Sequence, residues 1–160
     1  MGKIRVGFGF DVHQLKEEHP FILGGVKLEH HSGAYGHSDA DVLLHAICDA
    51  LLGAANLRDI GFHFSNTDNR WKGISSLILL QHVLELLKEK GWGIGNIDAM
   101  VCLEAPKINP HIPQMKKNIA SAAGIDEDDI SIKATTNESM GFIGRQEGVV
   151  AYATCLIERV

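Results

Sequence analysis

Asp11 and His13 stand two residues apart in the alternating segment KIRVGFGFDVH, positions 3–13. Along a β-strand, residues two apart leave the same face, so these two side chains could bind one metal ion. His45 is the leading candidate for a third ligand, because residues 38–52 have the apolar spacing of a helix. Three protein ligands would leave one coordination position open. The spacing alone also fits an ordinary strand end and a solvated helix face, so both interpretations stay open.

Two carboxylates flank His45 at helical spacing. Asp41 lies four residues before it and Asp49 four residues after it, which predicts one polar stripe along an otherwise apolar helix. A carboxylate beside a metal-binding imidazole fixes its tautomer and raises its basicity. We therefore predict that Asp49 supports His45.

A second group of polar residues could bind phosphate. The segment KATTNE at 133–138 ends a predicted strand with two threonines and continues to Glu138. Hydroxyls and a carboxylate at a strand end suit phosphate oxygens and a hard cation such as Mg²⁺. Lys107 and Arg145 could neutralise phosphate charge. The alternative is a polar strand end with ordinary surface charges.

His37 and Ser38 precede the helix of residues 38–52, with Ser38 predicted as its N-cap. Backbone N–H groups and the positive end of the helix dipole favour an anion at this position. An N-cap explains Ser38 but gives no role to His37.

Strands and helices alternate along the chain, without repeats or a linker that could divide it. The first strand should bury one face, made of Ile4, Val6, Phe8, Phe10 and Val12. A hairpin is predicted around Gly24 and Gly25, and the polar segment 62–73 is a candidate binding loop. The other elements are a helix at about 74–90, a helix from Pro110 to Gly124, and strands at 97–103, 130–134 and 149–157.

We predict an α+β fold with a mixed four-stranded sheet, three helices packed on one face and a small hairpin. At 160 residues, the chain is long enough for one substantial core, so residues 1–160 are expected to form a single domain.

Charge and cysteine usage exclude several classes of partner. The formal charge is −5, with 20 acidic against 15 basic residues, which argues against a nucleic-acid partner. Cys48, Cys102 and Cys155 are widely spaced among apolar residues and are read as reduced core thiols. No apolar run approaches the roughly 20 residues that cross a bilayer, so no membrane partner and a cytoplasmic location are expected.

The motifs together resemble the 2-C-methyl-D-erythritol 2,4-cyclodiphosphate synthase family over nearly the whole chain. The matching pieces are GFDVH at 9–13, GHSDADV at 36–42 with His45 and DALLGAA at 49–55, DIG at 59–61, APK and PHIPQM within 105–115, KATT with Glu138, and GF with GRQEG at 141–148.

The resemblance implies a set of roles for these residues. Asp11, His13 and His45 would bind Zn²⁺, and Glu138 would help to hold Mg²⁺ or Mn²⁺ across two phosphates. His37 and Thr136 would steady the transition state as catalytic residues. The implied substrate contacts are His37, Ser38, Asp59, Ile60, Gly61, Phe64, Ser65, Asn66, Thr67, Asp68, Leu103, Glu104, Ala105, Pro106, Lys107, Ile108, Asn109, Thr135, Thr136, Asn137, Glu138, Phe142 and Arg145.

The implied reaction starts from 4-diphosphocytidyl-2-C-methyl-D-erythritol 2-phosphate, closes a cyclic diphosphate and releases CMP, in non-mevalonate isoprenoid synthesis. The resemblance also implies a homotrimer with sites between subunits. A cavity on its threefold axis could hold an isoprenoid diphosphate, with Phe10, Arg145 and Glu147 as lining candidates.

Two departures from the family pattern stand in these motifs. The chain reads FSNTD at 64–68 where the family commonly has Phe-Pro-Asp-Thr-Asp, and Ala40 replaces a usual glycine. Two other functions remain open at this point. An open zinc site could activate water in a metal-dependent phosphoesterase, and a trimeric binding protein could keep the pockets without turnover.

Overall fold

The computed structural model describes residues 2–160; Met1, the first residue of the predicted domain, lies outside the described residues. The strands are Ile4–Glu17 (β1), Phe21–Leu23 (β2), Val26–Leu28 (β3), Ser32–Tyr35 (β4), Trp92–Cys102 (β5), Ile130–Thr135 (β6) and Gly148–Arg159 (β7). The α-helices are Val42–Ala54 (α1), Ile60–His63 (α2), Ser76–Glu89 (α3), Ile112–Ala123 (α4) and Gly141–Gly144 (α5).

The main sheet is mixed, with strand order β4-β1-β7-β5-β6, and β2 and β3 form a separate hairpin. Only β5 and β6 pair in parallel within this described sheet. The α+β class and the hairpin are confirmed, but the predicted strand count was wrong, because the sheet has five strands rather than four. The additional strand is β4, which pairs with the last four residues of a β1 longer than expected. Four residues are too few for an alternating pattern to reveal a strand.

The three long helices pack beside one another against the sheet. Helix α1 contacts β1 and β7, α3 contacts α1 and β5, and α4 contacts α3 and β6. Gly7 and Gly9 of β1 face α1 so closely that a Cβ on either would collide with the carbonyl oxygen of Ala50 or Ala46. Because of these glycines, the backbone of α1 lies directly on the backbone of β1.

The other face of β1 is exposed, which contradicts the prediction that its apolar residues lie in the core. Ile4, Val6, Phe8, Phe10 and Val12 are between 42% and 65% exposed. Tyr152 of β7 packs beside them, with its ring centroid 5.3 Å from that of Phe10. Alternation identified an apolar face correctly but did not tell which face the helices cover. We call these six residues the apolar sheet face.

Helix α1 begins later than predicted, at Val42, and its N-cap is Asp41 rather than Ser38. Asp41 is fully buried. Its carboxylate accepts N–H groups from Leu44 at 3.1 Å, from Gly24 at 3.0 Å and from Gly25 at 2.7 Å. The predicted stripe of Asp41, His45 and Asp49 was therefore wrong for Asp41, because its carboxylate turns back to the helix start and the hairpin turn.

Burial raises the pKa of Asp41 to about 6, against the lowering effect of its three N–H donors. The hairpin turn itself has the positive φ angles expected of its two glycines, +57° at Gly24 and +70° at Gly25. Within residues 2–160, every helix is too short or too polar to cross a membrane.

Candidate metal centre and flanking pockets

Asp11, His13 and His45 converge as the sequence predicted. One ligand atom from each lies within 4.8 Å of the other two. The Oδ2 atom of Asp11 is 3.0 Å from Nδ1 of His45 and 3.5 Å from Nε2 of His13. Strand β1 supplies the first two residues and α1 supplies the third across the close contact made by the glycines. A carboxylate and two imidazoles at this spacing suit a divalent transition metal such as zinc.

The hydrogen bonding of His13 leaves one ring nitrogen available to bind a metal ion. Its Nδ1 lies 2.8 Å from the carbonyl oxygen of Val12 and donates to it, which leaves Nε2 as a lone-pair donor. That Nε2 atom is buried and has no hydrogen-bond partner in residues 2–160. Burial lowers the pKa of His13, which favours the neutral imidazole that a metal requires. An unsatisfied buried nitrogen facing a carboxylate fits a missing cation.

The second imidazole is oriented by residues that the sequence analysis missed. Nε2 of His45 lies 3.0 Å from Oγ of Ser76 and 3.0 Å from Oγ of Ser38. Ser76 is fully buried at the start of α3, and both its N–H and its hydroxyl donate to the carboxylate of Asp39. A proton on Nε2 leaves Nδ1 facing Asp11, where a metal would bind.

The charge state of His45 follows from its carboxylate neighbours. Burial lowers its pKa, but the hydrogen bond and negative charge of Asp11, with further charge from Asp41 and Asp39, outweigh burial and raise it. These carboxylates therefore favour protonation of the His45 imidazole.

Asp49 does not support His45 in the predicted way. Its Oδ1 accepts the backbone N–H of Ile60 at 2.7 Å, so it fixes the start of α2. The nitrogen atoms of His45 pair instead with Asp11, Ser38 and Ser76. Helical spacing placed Asp49 on the correct side of α1 but not in contact with the imidazole.

A cavity of about 460 Å³ opens beside the metal cluster. Of the predicted substrate contacts, six line it: His37, Ser38, Ile60, Gly61, Phe64 and Asn66. Nε2 of His37 lies 3.3 Å from the carbonyl oxygen of Asp68, which ties this imidazole to the loop of residues 64–68. Trp71, which belongs to the predicted binding loop of residues 62–73, also lines the cavity, as does Tyr35, which was not predicted.

The two departures from the family pattern keep a defined geometry. Ala40 has φ +58°, the left-handed conformation that a glycine would adopt without strain. Oγ of Ser65 accepts the N–H of Thr67 at 3.2 Å and lies 2.8 Å from its hydroxyl. Hydrogen bonds thus hold the loop where the family commonly has a proline.

A second cavity, of about 220 Å³, lies between the ends of β5 and β6. Eight predicted substrate contacts line it: Leu103, Glu104, Pro106, Lys107, Ile108, Asn109, Thr135 and Thr136. The carboxylate of Glu104 accepts the N–H groups of Asn137 at 2.6 Å and Ser139 at 3.4 Å. Glu104 therefore shapes the turn that presents Glu138, a structural role that the sequence analysis did not assign.

Glu138 is exposed beyond this second cavity, with φ +52°. Its Oε1 accepts the hydroxyl of Thr136 at 2.9 Å, so the predicted catalytic threonine and the predicted cation ligand are in contact. Arg145 is paired with Glu147 at 2.9 Å. The remaining predicted contacts line neither cavity: Asp59, Ser65, Thr67, Asp68, Ala105, Asn137, Glu138, Phe142 and Arg145.

Both cavities lie at the same end of the sheet but on different strands. Asp11 pairs with Ala151 of β7, which pairs with Val101 of β5, which pairs with Ala134 of β6. Three strand spacings separate β1 from β6, or about 14 Å. Within one chain, the metal cluster and the second cavity are therefore side by side rather than joined.

This fold and site define a class of α+β proteins in which an Asp-His-His group that could hold a metal ion lies beside a cavity of about 460 Å³. The chain belongs to the YgbB family, whose model matches residues 4–158. A relative from Cytophaga hutchinsonii, 2-C-methyl-D-erythritol 2,4-cyclodiphosphate synthase, is 63% identical over 155 residues, covering 97% of this chain and 98% of the relative.

Solved structures give the same result. The bifunctional IspDF protein from Campylobacter jejuni superimposes with a TM-score of 0.96 at 39% identity, and the match covers 100% of this chain and 43% of that longer protein. The CDP complex of IspF from Plasmodium falciparum has a TM-score of 0.87 at 35% identity, covering 99% and 98% of the two chains. The family resemblance read from the sequence motifs is confirmed.

Proposed function

We propose that this chain is a cyclodiphosphate synthase that converts 4-diphosphocytidyl-2-C-methyl-D-erythritol 2-phosphate to 2-C-methyl-D-erythritol 2,4-cyclodiphosphate and CMP. An oxygen of the 2-phosphate bonds to the β-phosphorus. The bond from that phosphorus to the bridging oxygen breaks, and CMP leaves with that oxygen. The observation that carries the proposal is the convergence of Asp11, His13 and His45 beside a 460 Å³ cavity that the two histidines line.

Two cations are part of the proposal. Asp11, His13 and His45 would hold Zn²⁺, and Glu138 would help to hold Mg²⁺ or Mn²⁺. When bound, these ions would supply positive charge to phosphate oxygens and leave no need for a covalent enzyme intermediate. Support comes from the unpaired Nε2 of His13 and from the exposed carboxylate of Glu138, which a threonine hydroxyl already orients.

The other residues of the proposed site would position the phosphate groups of the substrate. His37 and Ser38 line the metal-side cavity and would hold the 2-phosphate, while Thr136 would donate to the diphosphate from the second cavity. Lys107 lines the second cavity and would balance negative charge there. In phosphoryl transfer, such orientation and charge stabilisation supply most of the rate enhancement.

The working assembly in this proposal is a homotrimer, with each active site made from the metal cluster of one subunit and the second cavity of its neighbour. The apolar sheet face supports it, because five large side chains on one strand are unusual on a free surface. The 14 Å separation of the two half-sites within one chain also supports it. A single domain over residues 1–160 is part of the same proposal.

The axial cavity would lie within such a trimer. Phe10 belongs to the apolar sheet face, and the exposed Arg145–Glu147 pair lies near the last residues of β1, where the N–H of Leu15 donates to the carbonyl of Glu147. An isoprenoid chain would contact Phe10 and its diphosphate would contact Arg145.

The assembly can be tested with one charge on the apolar sheet face. Phe8→Asp should convert a trimer into monomers in sedimentation velocity, because a carboxylate would be buried between subunits. Ile78→Asp is the matched control, since Ile78 is also exposed, at 43%, but lies on α3. A wild-type monomer, or an unchanged trimer in Phe8→Asp, would remove this interface from the proposal.

The reaction itself is tested by incubating the protein with the cytidylyl substrate, Zn²⁺ and Mg²⁺, and following CMP and the cyclic product together. Equal amounts of both support the synthase. A linear hydrolysed product would instead indicate a phosphoesterase, and tight binding without CMP release would indicate a binding protein.

Two variants assign the metals. His45→Ala should abolish zinc binding and turnover while the circular dichroism spectrum stays native. Glu138→Gln should weaken activation by Mg²⁺ and retain zinc, so an unchanged Mg²⁺ titration would contradict its assignment.

A further inference from the structure

Four cationic side chains surround a third cavity, of about 550 Å³, at the other end of the sheet. Lys3 immediately precedes β1 and Arg5 lies at its start, Arg159 ends β7, and Lys90 caps the C-terminus of α3. Trp92, the first residue of β5, forms part of the wall. Neither the metal cluster nor the phosphate-binding motifs include any of these residues.

The arginines are held in place by the wall of the cavity. The guanidinium carbon of Arg5 lies 4.7 Å from the ring centroid of Trp92, and that of Arg159 lies 5.2 Å from it. Nη1 of Arg5 donates to the carbonyl of Ala54 at 3.5 Å, and Nη1 of Arg159 donates to the carbonyl of Lys90. Stacking and these bonds fix both planar groups before any ligand arrives.

No carboxylate neutralises this cluster. In residues 2–160, every ion pair within 4.0 Å involves other residues, although the net charge of the protein is −5. The helix C-termini at Ala54 and Lys90 each contribute the equivalent of about half a negative charge. About three positive charges therefore remain unbalanced around one cavity.

The donors that remain suit phosphate. Each helix contact uses one N–H of a guanidinium that has five, and neither Lys3 nor Lys90 makes a side-chain hydrogen bond within the described chain. Several charged donors converging from the ends of two strands and a helix match the several acceptor oxygens of a diphosphate. A nucleic-acid strand would need a longer basic track than this single cavity offers.

We propose that the cavity formed by Lys3, Arg5, Lys90 and Arg159 is a second anion site, which binds the diphosphate or phosphate group of a small molecule. It is separate from the metal cluster, because Asp11 lies six positions after Arg5 along β1, a distance of about 20 Å. It also lies on the helix side of β1, opposite the apolar sheet face, so it stays open in the proposed trimer.

The test is calorimetric titration of the metal-free full-length protein with sodium diphosphate at low salt. We expect saturable binding with a Kd below about 1 mM. Lys3→Gln/Lys90→Gln should weaken binding by about 10-fold or more, because two charged donors are lost without disturbing the stacked arginines. Lys117→Gln is the control, since Lys117 lies on α4 beside the acidic residues Asp126 and Glu127.

His45→Ala separates this site from the catalytic one and should bind diphosphate as tightly as the wild type. The proposal is overturned if the wild type shows no saturable binding up to about 10 mM. It is also overturned if the double variant binds as the wild type does, or if His45→Ala alone abolishes binding. Circular dichroism of each variant establishes that a loss of binding is not a loss of folding.

Discussion

Asp41→Asn should change how the stability of the protein depends on pH. Asp41 is fully buried, and burial raises its pKa from 3.8 to about 6 despite three N–H donors. Below about pH 3, the carboxyl is protonated in both the folded and the unfolded chain. As pH rises from about 4 to 6, the unfolded chain loses this proton first, so the free energy of unfolding falls. A pKa near 6 in place of 3.8 corresponds to about 3 kcal/mol.

Asparagine has the same shape as aspartate but does not titrate. The difference in the free energy of unfolding between the two proteins therefore reports the titration of the Asp41 carboxyl alone. Its amide places an N–H group opposite the N–H of Gly25, which costs about 1–3 kcal/mol at every pH. Between pH 3 and pH 7, the wild type should therefore lose about 3 kcal/mol relative to Asp41→Asn, whatever the constant offset.

The measurement is urea unfolding of both metal-free proteins at several pH values and one protein concentration. Asp126→Asn is the control, because Asp126 is an exposed N-cap that accepts the N–H of Asp128. The reasoning would be refuted if the stability difference between the wild type and Asp41→Asn is constant with pH, or if it grows in favour of the wild type as pH rises. It would mean that the N–H donors and the helix N-terminus outweigh burial at Asp41.

Three further outcomes are expected. Ser76→Ala should weaken zinc binding by about 10-fold in a chelator competition, because it removes a hydrogen-bond partner of the His45 imidazole. Ser75→Ala is the control, since Ser75 makes no side-chain capping bond, and it should leave zinc binding unchanged. Equal effects of the two variants would contradict the role of Ser76. Gly9→Ala should lower the free energy of unfolding by about 3 kcal/mol or more, because α1 must shift to make room for the methyl group. Gly53→Ala is the control, since it has open space and should stabilise α1 by up to about 1 kcal/mol. A small loss of stability in Gly9→Ala would contradict the close contact between β1 and α1. Complete burial raises the pKa of the Cys48 thiol, so Cys48 should resist iodoacetamide in the native protein and react with it in denaturant. Peptide mass spectrometry would measure both reactions, and rapid modification of the native protein would contradict the burial of Cys48.

The three proposed metal ligands lie on elements that the sequence pattern identifies, and the family resemblance joined them into one site although His45 lies 34 residues after Asp11. Asp11 and His13 share one face of a strand, and His45 stands on a helix that the apolar pattern identifies. Ser76 was not predictable in this way, because it reaches His45 from the start of another helix, 31 residues further along the chain. Its only sequence signal is a polar residue where α3 begins its buried face, a position that many helices fill without function.

The exposure of the apolar sheet face marks a different limit. Alternation in β1 shows that one face is apolar, but an apolar face can be covered by the same chain or by another copy. Gly7 and Gly9 on the opposite face were the available signal. Two glycines on one strand face allow a helix backbone to approach closely, and helix α1 occupies that face.

The two faces of β1 serve separate parts of the proposed function. The glycine face brings α1 near enough for His45 to reach Asp11, so the metal cluster depends on the absence of side chains at two positions. The apolar face has no partner in the described chain, and the second cavity lies about 14 Å from the metal cluster. If neighbouring subunits cover that face, assembly also completes the active site. Trimer formation and catalysis should then fail together in Phe8→Asp, while zinc binding, which needs only the glycine face, should persist.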